Sequence, residues 1–83
     1  MRRPTRAARL GWRRRLIDTY IESYVDWRER CADVRRAYQG WTLSEPRDCG
    51  WAFRVYRAAL EREERAALAH ERAVAQFDRR ARR

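Results

Sequence analysis

The chain has 83 residues, 21 basic and 12 acidic, and a formal net charge of +9. It is one domain at most, and folding would remove only about 60% of the surface its unfolded form exposes, so its core needs reinforcement. Two cysteines and one histidine are too few for the disulfide frameworks or metal centres that usually supply it, which leaves oligomerisation.

Every one of the 21 basic residues is arginine. Coding bias in a GC-rich genome produces this without functional demand; the functional alternative is bidentate recognition of phosphate or carboxylate by the guanidinium fork. The charge is segregated. Residues 1–15 hold seven arginines and no acid, residues 79–83 hold four, and the stretch between them carries −2. The first eleven residues read as a basic arm. No apolar run of the length a secretory leader requires follows it, and Thr5 is the arm's only hydroxyl residue, which argues against an organelle-targeting segment. Uncharged apolar runs such as residues 66–69 are far too short to span a bilayer. The expected location is the cytoplasm, with reduced thiols.

From Ile17 the apolar residues fall at Ile17, Tyr20, Tyr24, Trp27, Cys31, Val34, Tyr38 and Trp41. The spacing alternates strictly between three and four, which is a heptad seam and predicts a helix over residues 12–39. Gly40 suits a left-handed C-terminal cap. Residues 40–48 make the turn, in which Ser44 or Asp48 can cap the next helix. A second helix over residues 49–79 follows from its alanine, glutamate and arginine content. Its inner face at 100° per residue is Ala52, Val55, Tyr56, Ala59, Ala66, Ala67, Ala73, Val74 and Phe77. Residues 80–83 form a basic tail.

Large side chains on one helix opposite alanines on the other, joined by a short turn, predict an all-α antiparallel two-helix hairpin. Leu16, Ile17, Tyr20, Ile21, Tyr24 and Val25 spread over about 180° of the first helix, more than one facing helix covers. These six residues are therefore the expected oligomer or partner interface, and the hairpin is expected to pair into a four-helix bundle as a homodimer.

Glu63 and His70 interrupt the inner face of the second helix. Polar groups at such positions need hydrogen bonds. Antiparallel pairing brings Tyr20 and Tyr24 to their level, so a polar core layer bonded to tyrosine hydroxyls is expected. A separation of seven helical residues, about 10 Å, is too long for an acid–base pair. The residues do not suit a di-iron or zinc site. Cys31 and Cys49 should lie on the order of 15 Å apart in a hairpin, beyond disulfide reach. No phosphate loop, nucleophilic triad or nucleotide motif occurs. No catalytic, cofactor-binding or metal residue is therefore assigned, and the chain is not expected to be an enzyme.

In a hairpin both termini emerge at one end. The candidates for binding polyanions are Arg2, Arg3, Arg6 and Arg9, then Trp12 with Arg13, Arg14 and Arg15, and finally Arg79, Arg80, Arg82 and Arg83. Such a pole attracts nucleic acid, an acidic protein or, less favourably here, an anionic membrane surface. The alternative is that terminal charge runs are merely solvated. The expected function is a small non-catalytic helical protein–protein interaction module, acting on itself or on a helical partner. The alternative is sequence-independent nucleic-acid binding through the clustered arginines, since no base-reading module is evident.

Overall fold

Good helix formers extend beyond both ends of the hydrophobic pattern. In the computed structural model, which describes residues 5–82, helix α1 spans Arg6–Thr42 and helix α2 spans Cys49–Ala81. Arg6, Ala7, Ala8, Arg9 and Leu10 all favour helix, and one Gly11 at about 1 kcal/mol does not interrupt them. Most of the segment expected as a basic arm is thus the first turns of α1. Helix α2 likewise runs two residues beyond its expected end, so part of the tail is helical.

Gly40 does not cap α1. It lies inside the helix, and no glycine among the described residues has positive φ. The helix continues because Trp41 has a place to pack: its ring stacks on Tyr56 at 5.5 Å and meets Phe53 at 5.1 Å. The last carbonyls are satisfied after that. The Thr42 hydroxyl and the Leu43 amide both donate to the Gln39 carbonyl, each at 3.0 Å. The Ser44 hydroxyl donates to the Trp41 carbonyl at 2.7 Å. Ser44 therefore closes α1 rather than opening α2. Asp48 occupies the N-cap position of α2 but makes no side-chain cap bond. Its backbone is helical (φ −103°, ψ −4°) rather than extended, and an extended N-cap is what normally aims the carboxylate at the free amides. Its carboxylate lies instead 3.9 Å from Arg47.

The two helices pack against each other along their length and antiparallel. In every interhelical ring contact or hydrogen bond, from Trp12 with Arg80 to Trp41 with Phe53, the two residue numbers sum to between 90 and 97. Ala59, Ala66 and Ala73, at 1%, 6% and 6% exposure, are the buried residues among those described. They are seven apart, one per two turns of α2, so one row of methyl groups faces α1 from end to end. Tyr56, Glu63, His70 and Phe77 form the next row and are half-buried. Val55, expected on the inner face, is exposed.

On α1 the inner face is turned from the expected one. Trp27, Val34 and Trp41 are half-buried as expected, and Cys31 is too. Ile17, Tyr24 and Tyr38, however, remain 47%, 45% and 49% exposed. Leu16, Ser23, Arg30 and Ala37, on the opposite flank of the Tyr20–Trp27–Val34–Trp41 row, are half-buried in their place. Among the described residues no helix is long and apolar enough to cross a membrane.

The alanine row sets the distance between the helices, so enlarging one member should be costly. Ala59→Leu should lower stability by about 1–3 kcal/mol through overpacking, read as a lower denaturant midpoint with helicity retained in the folded state. An unchanged midpoint would mean that the helices do not meet at Ala59.

Candidate functional site

Three features carry chemistry: a polar layer inside the hairpin, an uncovered apolar stripe on α1, and the open end where the two helix termini meet.

The polar layer has different bonds from those expected. The Tyr20 and Tyr24 rings do reach His70, with centroids 5.2 and 5.6 Å away, but they meet it ring to ring. The hydrogen bonds go elsewhere. Trp27 Nε1 donates to Glu63 Oε1 at 2.9 Å, and the Cys31 thiol lies 4.0 Å from the same oxygen. Glu63 is seven residues nearer the bend than His70, so antiparallel register places it beside Trp27 and Cys31 rather than the tyrosines. His70 Nδ1 is 2.9 Å from the Ser23 hydroxyl, which also donates to the Tyr20 carbonyl at 2.9 Å. A hydroxyl has one proton. With that proton on the Tyr20 carbonyl, Ser23 accepts from His70, and Nδ1 carries the imidazole hydrogen. Trp27 joins the two halves of the layer: its indole is stacked on His70, 5.8 Å away at 11°, while its N–H holds Glu63. The layer pairs one acid and one imidazole with donors and acceptors at matching heights, an arrangement of the kind that specifies register.

Further along α1, Arg30 is ringed by Asp26, Glu29 and Asp33 at 3.7, 3.2 and 3.4 Å. Its Nε is buried without a hydrogen-bond partner. Asp33 also pairs with Arg36. Both cysteines are free, Cys31 half-buried and Cys49 exposed. No group of three or more His, Cys, Asp or Glu side chains among the described residues is placed to hold a metal ion.

The apolar stripe runs over the first half of α1. Ile17, Ile21, Tyr24 and Val25 are all 45–52% exposed, and Leu10, from the segment expected as a basic arm, is 57% exposed. At 100° per residue these five fall within about 100° of arc, the width one facing helix covers. Of the six residues expected at an interface, Leu16 turns toward the groove at the open end. Tyr20 packs on His70 and Phe77. Ile17, Ile21 and Val25 are open, and Tyr24 is partly so.

At the open end, the Arg80 guanidinium lies over the Trp12 ring, 4.9 Å from its centroid. A groove of about 360 Å³ beside it is lined by Trp12, Leu16, Ile17 and Phe77, with Arg13 and Arg80 supplying charge. Arg6, Arg13, Arg14, Arg15, Arg79 and Arg82 are exposed around the same end. Neither these six arginines nor Arg80 forms an ion pair among the described residues, in contrast to Arg30, Arg36 and Arg47. Arg2, Arg3 and Arg83 lie outside the described residues, as does the side chain of Arg9. The structure thus brings the two described arginine clusters together, and it adds an apolar wall from Phe77 that charge counting alone did not find.

No family model matches the chain, nor does any curated protein or solved structure.

Trp27→Phe removes the only nitrogen donor to Glu63 among the described residues and should cost about 1–2 kcal/mol, the penalty for a part-buried carboxylate left short of a partner. Combining it with Glu63→Leu should cost less than the two single changes added together, because each removes the same bond. Strict additivity in urea melts would show that the bond contributes nothing to folding.

Proposed function

We propose that this chain is a small, non-catalytic helical interaction module that works as a symmetric dimer, pairing through the Leu10, Ile17, Ile21, Tyr24 and Val25 stripe into a four-helix bundle. The observation that carries this reading is the surface the single hairpin leaves uncovered. The chain exposes 7446 Å², whereas a compact monomer of its mass exposes about 5,300 Å². The difference of about 2,000 Å² per chain is more than the ~800 Å² that each partner buries in a stable interface of standard size. The overall dimensions, 66 × 18 × 16 Å with a radius of gyration of 19.1 Å, point the same way; a globular chain of this length has a radius near 12 Å.

Charge supports a second copy over an unrelated helix. Along α1 the stripe begins among Arg13, Arg14 and Arg15 and continues past Asp18, Glu22 and Asp26. Antiparallel pairing of two identical stripes sets the basic end of each against the acidic part of the other. A two-fold axis requires such self-complementarity. Two unpaired cysteines fit a reducing, cytoplasmic setting.

A second reading rests on a separate observation. The unpaired arginines around Trp12 and Arg80 support binding to nucleic acid through phosphates, without sequence preference. It is compatible with the first, since Trp12 and Arg80 lie off the stripe that the dimer would cover.

Sedimentation velocity tests self-association. The wild-type chain should run as a dimer at tens of micromolar, and Ile21→Glu should shift it toward monomer while leaving helicity intact. A well-folded wild-type monomer throughout that range would overturn the dimer.

A further inference from the structure

We infer that the groove at the open end is a binding site for single-stranded nucleic acid, with Trp12 as the stacking platform for one unpaired base. The inference rests on the polyanion reading above and names the form of its ligand.

The site combines two chemistries that a purely electrostatic pole lacks. Its walls are apolar and aromatic, from Trp12, Leu16, Ile17 and Phe77. Its rim is cationic, from Arg13 and Arg80. Arg80 lies over one side of the indole and braces it, with the ring half-buried rather than loose. A nucleotide of an unpaired strand matches this arrangement part by part. Its base has a flat π-face for the indole, and the adjoining phosphate is within the span of an arginine fork. Stacking of this kind is tolerant of base identity, in keeping with the absence of a base-reading module.

The same features disfavour the other anionic partners. A duplex keeps its base faces stacked inside and offers only phosphates and groove edges, so the apolar wall would stay wet. An acidic peptide gives the arginines their carboxylates but nothing to lie on Trp12. A membrane surface needs protruding apolar side chains, whereas the aromatic groups here line a recess between two helices and the indole is covered on one side by a guanidinium.

The test uses the full chain with a dye-labelled thymidine 12-mer, a duplex of equal length, and phosphatidylglycerol vesicles, all at 50–200 mM salt. Affinity for the single strand should exceed that for the duplex by about tenfold, with vesicles bound more weakly still. Trp12→Ala should weaken single-strand binding about tenfold, within the range measured for base stacking, and leave the salt dependence unchanged. Arg80→Gln should instead flatten the plot of log K against log salt by about 0.7 for the single strand. Trp12→Phe keeps an aromatic ring and guards against a folding defect. It should retain most of the affinity, and it should abolish the quenching of tryptophan emission that the oligonucleotide produces in the wild-type protein. Single-strand binding that is indifferent to Trp12→Ala, with no quenching lost in Trp12→Phe, would refute the stacking site and leave the polyanion reading standing. Equal affinity for duplex, or preference for vesicles, would also refute it. No binding of either nucleic acid at 50 mM salt would refute the polyanion reading itself.

Discussion

An alanine at every second turn of α2 governs the rest of the molecule. Ala59, Ala66 and Ala73 present only methyl groups to α1, and they are the buried residues among those described. A surface so low admits the partner helix closely but cannot enclose its large side chains. The rings of Tyr20, Trp27, Tyr38 and Trp41 therefore lie along the sides of α2 against His70, Phe77, Tyr56 and Phe53 rather than inside a core. No large side chain is fully buried among the described residues. The result is a ribbon with two accessible faces, and its exposed apolar stripe is a direct consequence of the narrow seam.

Register follows from the few polar groups within that seam. Alanine methyls are nearly interchangeable, and a shift of one heptad would leave their packing much the same. Glu63 and His70 remove that freedom. Each has its hydrogen-bonding partner at one height on α1, Trp27 for the acid and Ser23 for the imidazole. A shift by a heptad in either direction would leave one of the two without a partner and set the other beside the wrong one. The same register carries Trp12 to Arg80 at the open end. The position of the candidate anion site is thus set some distance away, by bonds near the middle of the hairpin.

Much of the fold was legible in the sequence. The three-four alternation from Ile17 to Trp41 and the alanine-rich second helix identified two helices, their antiparallel pairing and the level at which tyrosines meet His70. The flank of α1 that faces inward was not legible. The row of Tyr20, Trp27, Val34 and Trp41 has Ile17, Tyr24, Cys31 and Tyr38 on one side and Leu16, Ser23, Arg30 and Ala37 on the other. Apolarity favours the first set. The fold favours the second, because Ser23 bonds His70 and Arg30 pairs with three carboxylates. Hydrophobic patterning weighs oiliness and misses such pairings. Gly40 misled for a related reason: its local preference for a helix end is outweighed by the packing of Trp41 on Tyr56, a contact between residues 15 apart in sequence. At the open end, charge counting located the arginines, but the Phe77 wall needed the register before it could be seen.

One hairpin buries little surface, and the proposed dimer completes it with a second copy. That pairing is tested most simply by the dependence of the thermal midpoint on protein concentration. If folding and association are one event, raising the concentration a hundredfold should raise the midpoint by about 8 °C, from the mass-action gain of about 2.7 kcal/mol set against the unfolding entropy of two chains. A midpoint that stays constant over the same range, with a single cooperative transition, would contradict the account and show that the alanine seam alone sustains the fold.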